Sequence, residues 1–238
     1  MFLNKKLIAI FFLPALLWLL AGCSTTTSPP ADSGTNLWKG HVIFAEIYTA
    51  DWCFSCPLAS QTMEYLVAEY GLGKLIITEN HIQDDYSTAE IEARFNSFYG
   101  LSGIPTVIFD GVSVKMGAGQ DYRSAIEARL YQLRTISLEV VASIADQKVT
   151  VSGSVSNEGG TDLSNLTINL FVVRDFGVTR AHYISRDITA ESLSSLSAGE
   201  KKTFLLTSEV LSSTSSLAAV VLVQKSDKEV LQSIYSTL

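Results

Sequence analysis

The sequence predicts an α/β domain followed by an all-β sandwich, and three observations carry that expectation. Between residues 37 and 135, apolar segments alternate in the order strand, helix, strand, helix, hairpin, helix. After Thr135 the chain changes to short alternating runs rich in Ser, Thr and Val, separated by turn residues. With 47% hydrophobic and 17% charged residues over 238 positions, there is enough apolar area for one or two folded domains and too much for intrinsic disorder.

In the first half, residues 41–48 (HVIFAEIY) read as a buried strand, and Thr49 to Trp52 as a loop leading to Cys53-Phe54-Ser55-Cys56. From Ala59 the apolar positions Met63, Leu66, Val67 and Tyr70 recur at helical spacing, and Gly71 closes the helix. Residues 74–81 (KLIITENH) form the next strand. Ser87 with Glu90 makes a capping box that opens a helix carrying Ile91, Phe95 and Phe98, closed by Gly100. Gly103-Ile104-Pro105 leads into strand 106–109, the Asp110-Gly111 turn and strand 112–114. A helix over 120–134 shows Ile126, Leu130 and Leu133 on one face. In the second half, strands are expected at 137–144, 147–156, 165–173, 201–207, 217–224 and 230–235.

The N-terminus reads as an address. Two lysines precede an uncharged apolar run, residues 7–20, and small residues precede Cys23, which is the order of a secretory signal peptide over 1–22. Leu20-Ala21-Gly22-Cys23 resembles the lipobox of bacterial lipoproteins, which implies lipidation of Cys23 and anchoring to a membrane without spanning it. Residues 23–36, with Ser, Thr, Pro and Gly, then form a flexible tether. Ser24 in place of an acid after the cysteine implies, by the same resemblance, the outer membrane. The net charge of −7 and pI near 5.0 lack the basic face of a nucleic-acid binder.

Setting Cys23 aside, Cys53 and Cys56 form a lone C-x-x-C. A four-cysteine zinc site is excluded, and His41, His81 and His182 lie at no ligand spacing, so no metal is expected. One reading is a static staple. A ring closed across two residues removes little chain entropy, however, so the spacing suits exchange better. The pair lies between a strand's end and a helix's start, where free amides and the helix dipole favour a thiolate. Trp52 and Phe54 are read as a peptide-docking surface beside the cysteines, or alternatively as lids on the local core.

Trp52-Cys53-Phe54-Ser55-Cys56 after a strand, with residues 99–106 (YGLSGIPT) before a hairpin, resembles the thioredoxin-like superfamily over 37–135. The resemblance implies that Cys53 attacks, that Cys56 resolves, that Pro105 is a cis-proline facing them, and that Ile104 offers backbone hydrogen bonds to a bound peptide. The sequence departs from the family where it commonly places a buried acid, six residues before the first cysteine. That position is Ile47, and strand alternation points its neighbour Glu46 the other way. Residues 149–173 resemble immunoglobulin-like adhesion modules, giving an immunoglobulin-like β-sandwich over 136–238. The whole then resembles a bacterial outer-membrane lipoprotein with these two domains.

The expected function is a membrane-tethered thiol-disulfide oxidoreductase of the cell envelope. Its partners would be envelope proteins with thiols or disulfides, and it would need no cofactor beyond its redox-active cysteine pair. The alternative is a non-enzymatic envelope binding or adhesion lipoprotein in which the first domain is structural.

Overall fold

The structure, a computed structural model, describes residues 40–176, 182–209 and 216–238. The signal peptide, Cys23 and the tether lie outside the described residues. Among the described residues no helix is long and apolar enough to cross a membrane.

Strand β1 (Ile43–Thr49) pairs in parallel with β2 (Leu75–His81), across helix α1 (Cys56–Tyr70). On its other side β1 pairs antiparallel with β3 (Thr106–Phe109), which turns into the edge strand β4 (Ser113–Met116). Helix α2 (Ala89–Ala93) runs on into a π-helical turn, Arg94–Tyr99, closed by Gly100 in the left-handed conformation. Its N-cap is Thr88, whose side chain accepts from the Ile91 amide; the cap falls one residue after the expected Ser87, and with Ile91 at the third position it is a simple cap and not a capping box. Helix α3 is Tyr122–Leu130.

Strands β5 (Ile136–Ala145), β6 (Lys148–Asn157) and β9 (Lys201–Glu209) form a three-stranded antiparallel sheet. Strands β7 (Leu163–Arg174), β8 (Ile184–Leu196), β10 (Leu217–Lys225) and β11 (Val230–Thr237) do not form a sheet of their own. They continue the first one, in the order β11-β10-β7-β8-β2-β1-β3-β4.

The joint is β8. It pairs with β7 along most of its length and meets β2 through one parallel bridge, Glu79 to Ile184. Because that junction is so narrow, the sheet can turn back on itself, and side-chain alternation shows that it does. Ile43, Ala45 and Ile47 of β1 pack under α1 and α3 with Ala59, Met63 and Ile126. From the opposite face, Phe44 meets Phe171 of β7 with ring centroids 5.2 Å apart, joined by Val42, Ile76, Val173, Val220 and Leu222. The alternate residues of β7 and β10, among them Leu170, Val172, Ala219 and Val221, pack on Val149, Val151 and Leu206 of the small sheet. Both faces of β10 are thus covered, which is why it reads as an unbroken apolar run rather than an alternating one.

The expected fold class, an α/β thioredoxin-like domain followed by a separate all-β immunoglobulin-like sandwich, is thereby corrected. The described residues are 49% strand and 19% helix, and strands from both halves of the chain build one large mixed sheet. The physical reason is the shared core around Phe44 and Phe171, which neither segment, 37–135 nor 136–238, closes by itself.

Candidate disulfide-exchange site

Cys53 and Cys56 are disulfide-bonded, with Cα atoms 5.4 Å apart. The loop from β1 is fixed by the Cys53 amide donating to the Ala50 carbonyl, and α1 starts at Cys56 with Pro57 in its first turn. Ser55 makes no side-chain cap and no acid occupies that turn, so the positive end of the helix is left for the cysteines. Cys53 is 8% exposed and Cys56 1%, which makes Cys53 the sulfur nearer to solvent. Both pack with Ala50 and against Ile104. The Ile104–Pro105 peptide is cis, and Pro105 is buried at the start of β3.

Trp52 and Phe54 flank the pair and are exposed, as is Leu58 one turn into α1. Trp52 is oriented by its indole N–H, which donates to the Gln83 carbonyl at 3.1 Å. Phe54 projects fully into solvent and covers no core. The structure therefore brings together Trp52, Cys53, Phe54 and Cys56, with Ile104 and Pro105 entering from the β3 side. Cys23 lies outside the described residues.

Acids stand near this corner in different states. Glu46 does lie on the face opposite Ile47, and it is saturated there. It accepts from Arg94 Nε at 2.5 Å and Nη2 at 2.9 Å, from the Tyr99 hydroxyl at 2.5 Å, from the Tyr48 hydroxyl at 3.0 Å and from Asn80 Nδ2 at 3.2 Å. Burial, with the Glu46 carboxylate beside it, holds the Tyr48 phenol well above its usual range. Arg94 Nη2 also reaches Gln224 Oε1 of β10 at 3.2 Å, so this cluster ties the layers together and leaves no lone pair for chemistry.

The second acid is Asp84, 2.7 Å from His81 Nδ1, with Asp51 Oδ1 4.0 Å from the same nitrogen. Asp84 also accepts from the backbone amides of Asp51 at 2.8 Å and Tyr86 at 2.9 Å. Burial works to raise its pKa, but His81 and the two amides outweigh it and hold the carboxyl below the usual range. Asp51, His81 and Asp84 bring ligand atoms within 4.8 Å of one another. Chain spacing missed this grouping because Asp51 follows β1 whereas His81 ends β2. The amides already engage both Asp84 oxygens, so the cluster is built to hold the loop before Cys53. The third acid, Glu79, has no such partners and is taken up below.

No family model matches the chain, and no curated protein matches it. Among solved structures, HBP35 of Porphyromonas gingivalis matches with a TM-score of 0.70 at 14% identity, over 84% of this chain and 76% of that one. That likeness extends through both halves of the chain and concerns the fold. A domain of the outer membrane lipoprotein Omp28 from the same organism matches 45% of this chain and 90% of its own, at 17% identity and a TM-score of 0.35. A Bacteroides uniformis beta-glucuronidase matches 41% of this chain and 12% of its own, at 14% identity and 0.31. The resemblance to the thioredoxin-like superfamily, and to a lipoprotein pairing it with an immunoglobulin-like sandwich, is corrected accordingly. The match to HBP35 and the mostly-β architecture, with one large mixed sheet, stand in its place.

Proposed function

We propose that the protein is a thiol-disulfide exchange protein of the bacterial cell envelope, tethered to a membrane, in the outer membrane, through lipid on Cys23. The observation that carries the reading is the Cys53–Cys56 pair at the open N-terminus of α1, with the more accessible sulfur beside an apolar, solvent-facing surface of Trp52, Phe54 and Leu58. A static staple needs no such surface, whereas a protein substrate needs one on which to dock.

In the reducing direction, the Cys53 thiolate attacks a substrate disulfide, forming a mixed disulfide and releasing one substrate thiolate. Cys56 then attacks the Cys53 sulfur, releases the second substrate thiolate and leaves the oxidised pair seen here. The reverse sequence donates the bond. The partners are envelope proteins with thiols or disulfides, and the pair is the only redox group the reaction requires.

Cys56→Ser, which lacks the resolving thiol, is expected to accumulate mixed disulfides on non-reducing gels that vanish with reductant, and Cys53→Ser is not. A folded, membrane-localised Cys56→Ser protein without adducts favours the second reading, a binding lipoprotein. The feature that favours that reading is an open groove of about 490 Å³ on the three-stranded sheet, lined by Glu139, Val141, Ser154, Lys201 and Phe204. Labelling with a radioactive fatty acid is expected to mark the wild type and not Cys23→Ala.

A further inference from the structure

The two ends of the large sheet differ. At the β11 end, Ile234 packs with Ile136 and Leu138 of β5, which lies alongside, so that end is covered. At the other end β4 is the last strand, and among the described residues no strand pairs with its outer side. Its inner side is set by the register Phe109 to Ser113, Ile108 to Val114, Val107 to Lys115 and Thr106 to Met116. Just beyond it, the Gly117 N–H donates to the Pro105 carbonyl at 2.7 Å. Antiparallel bonding alternates by residue, so Ser113 and Lys115 share the inward phase of Gly117, and Val114 and Met116 turn their backbone N–H and C=O groups outward.

The same strand exposes a row of apolar side chains. Val112, Val114 and Met116 are 44%, 49% and 46% exposed and, at two-residue spacing, point to one face, whereas Ser113 and Lys115 take the other. That face is the one α2 covers further in. Ile91 and Phe95 pack on Tyr48 of β1 and Ile108 of β3, and Val114 stands beside Ile108, one strand beyond the cover of the helix. A sheet edge that combines free backbone groups with an apolar row is a template for another strand, which is why natural edges are commonly blunted by charge, proline or a bulge. The one charge on β4 is Lys115, and it lies on the face opposite the row.

We propose that β4 is a homodimer interface at which two copies of the chain pair antiparallel, Val114 against Val114, and join their large sheets into one. The occupant is a second copy because the strand is complementary to itself in that register. Centred on Val114, the pairing sets Val112 of each protomer against Met116 of its partner and Ser113 against Lys115, so the apolar row becomes continuous and the two lysines stay apart. Centred on Lys115, it would set two ammonium groups opposite each other. In the favoured register the two Val114 residues exchange both backbone hydrogen bonds. Because the strands run antiparallel, the two cysteine pairs lie toward opposite ends of the joined sheet, and each keeps its own solvent-facing surface. The interface goes beyond the exchange reading and asks nothing of Cys53 or Cys56.

The test is sedimentation of the full chain in density-matched detergent. The wild type is expected to sediment as a dimer that dissociates on dilution. Val114→Lys sets like charges directly opposite each other and is expected to raise the dissociation constant at least about a hundredfold. The side chain is half exposed, so the variant is expected to keep the near-ultraviolet circular dichroism of the wild type. A wild type that stays monomeric at every concentration, including one that instead binds an added peptide, overturns the proposal, and so does a dimer that Val114→Lys leaves intact.

Cross-linking reads the register separately, in a Cys53→Ser, Cys56→Ser background where the mixed disulfides of the exchange reading cannot form. Under oxidation Val114→Cys is expected to link to its own counterpart, since the Cα atoms of such an opposed pair lie about 5.5 Å apart, and Ser113→Cys, displaced from its counterpart by two positions, is not. No link through Val114→Cys, or equal linking of the two variants, would overturn the interface. A missing mixed disulfide in cells speaks against the functional reading alone and leaves the dimer standing.

Discussion

Gly111 lies directly against Lys228. A Cβ built on Gly111 would overlap the Lys228 carbonyl oxygen and crowd Gln224 Nε2, and the residue holds φ at +75°. The Asp110-Gly111 turn thus does more than join β3 to β4, because it is clamped against the turn between β10 and β11. Asp110 completes the joint. Its carboxylate meets His41 Nε2 at 2.7 Å, the Phe44 amide at 2.8 Å and Arg129 Nε, and its carbonyl accepts from the Val230 amide at 2.9 Å.

Gly111→Ala is therefore expected to destabilise the protein by about 3 kcal/mol or more, since strained φ and backbone overlap act together. Urea denaturation of full-length protein reads this. Stability within about 0.5 kcal/mol of wild type would show that the two turns are not in fixed contact.

Removal of one partner from the Glu46–Arg94 pair is expected to be costly. Arg94→Leu leaves a buried carboxylate without its cation, at about 3–5 kcal/mol, and adding Glu46→Gln should recover part of the loss. A double-mutant cycle by chemical denaturation decides it, and strictly additive losses would contradict the coupling.

Glu79 makes stability depend on pH with a definite sign. Its folded pKa of about 8 lies above the reference value of 4.5, so between those values the folded chain holds a proton that the unfolded chain has released. Stability then falls as pH rises through this window, by about 1.4 kcal/mol per unit at most, and levels off above pH 8. Glu79→Gln removes the dependence. It is expected to be more stable than wild type by a few kcal/mol above pH 8, on the scale of about 1.4 kcal/mol per pKa unit, and nearly equal to it below pH 4.5. Urea midpoints at several pH values that keep a constant offset would refute this.

The segment 40–135 expressed alone is expected to remain unfolded or molten, because Phe44, Val42 and Ile76 would face water in place of Phe171, Val220 and Leu222. Loss of near-ultraviolet circular dichroism, with dye binding, is the readout. A sharp thermal melt would show that this half closes its own core.

These features differ in how readable they were. Strands β1, β2, β7 and β10 are legible from their apolar runs, the short β3 from its place before the Asp110-Gly111 turn, and the cysteine pair because its loop sits between a strand and a helix. The pairing of β8 was not. Its stretch Ser185 to Ser195 is largely polar and shows no two-residue apolar pattern, so nothing in it announces a strand. An unbroken run such as β10 says that both faces are buried but not what buries them, and for that reason a self-contained sandwich is expected where β10 is found in a large sheet shared with β1 and β2. Glu79 stood in plain view inside KLIITENH as a charge in an apolar strand. Its raised pKa needed the burial of both faces of β2, which no local pattern supplies.

The tie between the residue that leads into β1 and the last strand bears on the order in which this chain can fold. Val42 donates to Gln232 Oε1 at 2.8 Å, and the Ser233 hydroxyl donates to the Val42 carbonyl at 3.0 Å, across 190 and 191 residues of sequence. Contacts of such separation must wait for loop closure, so a chain that emerges N-terminus first from synthesis holds β1 without a complete partner surface until β11 arrives. Maturation is therefore a late event involving the whole chain, and a truncation at the extreme C-terminus reaches back to the strand that leads into Cys53.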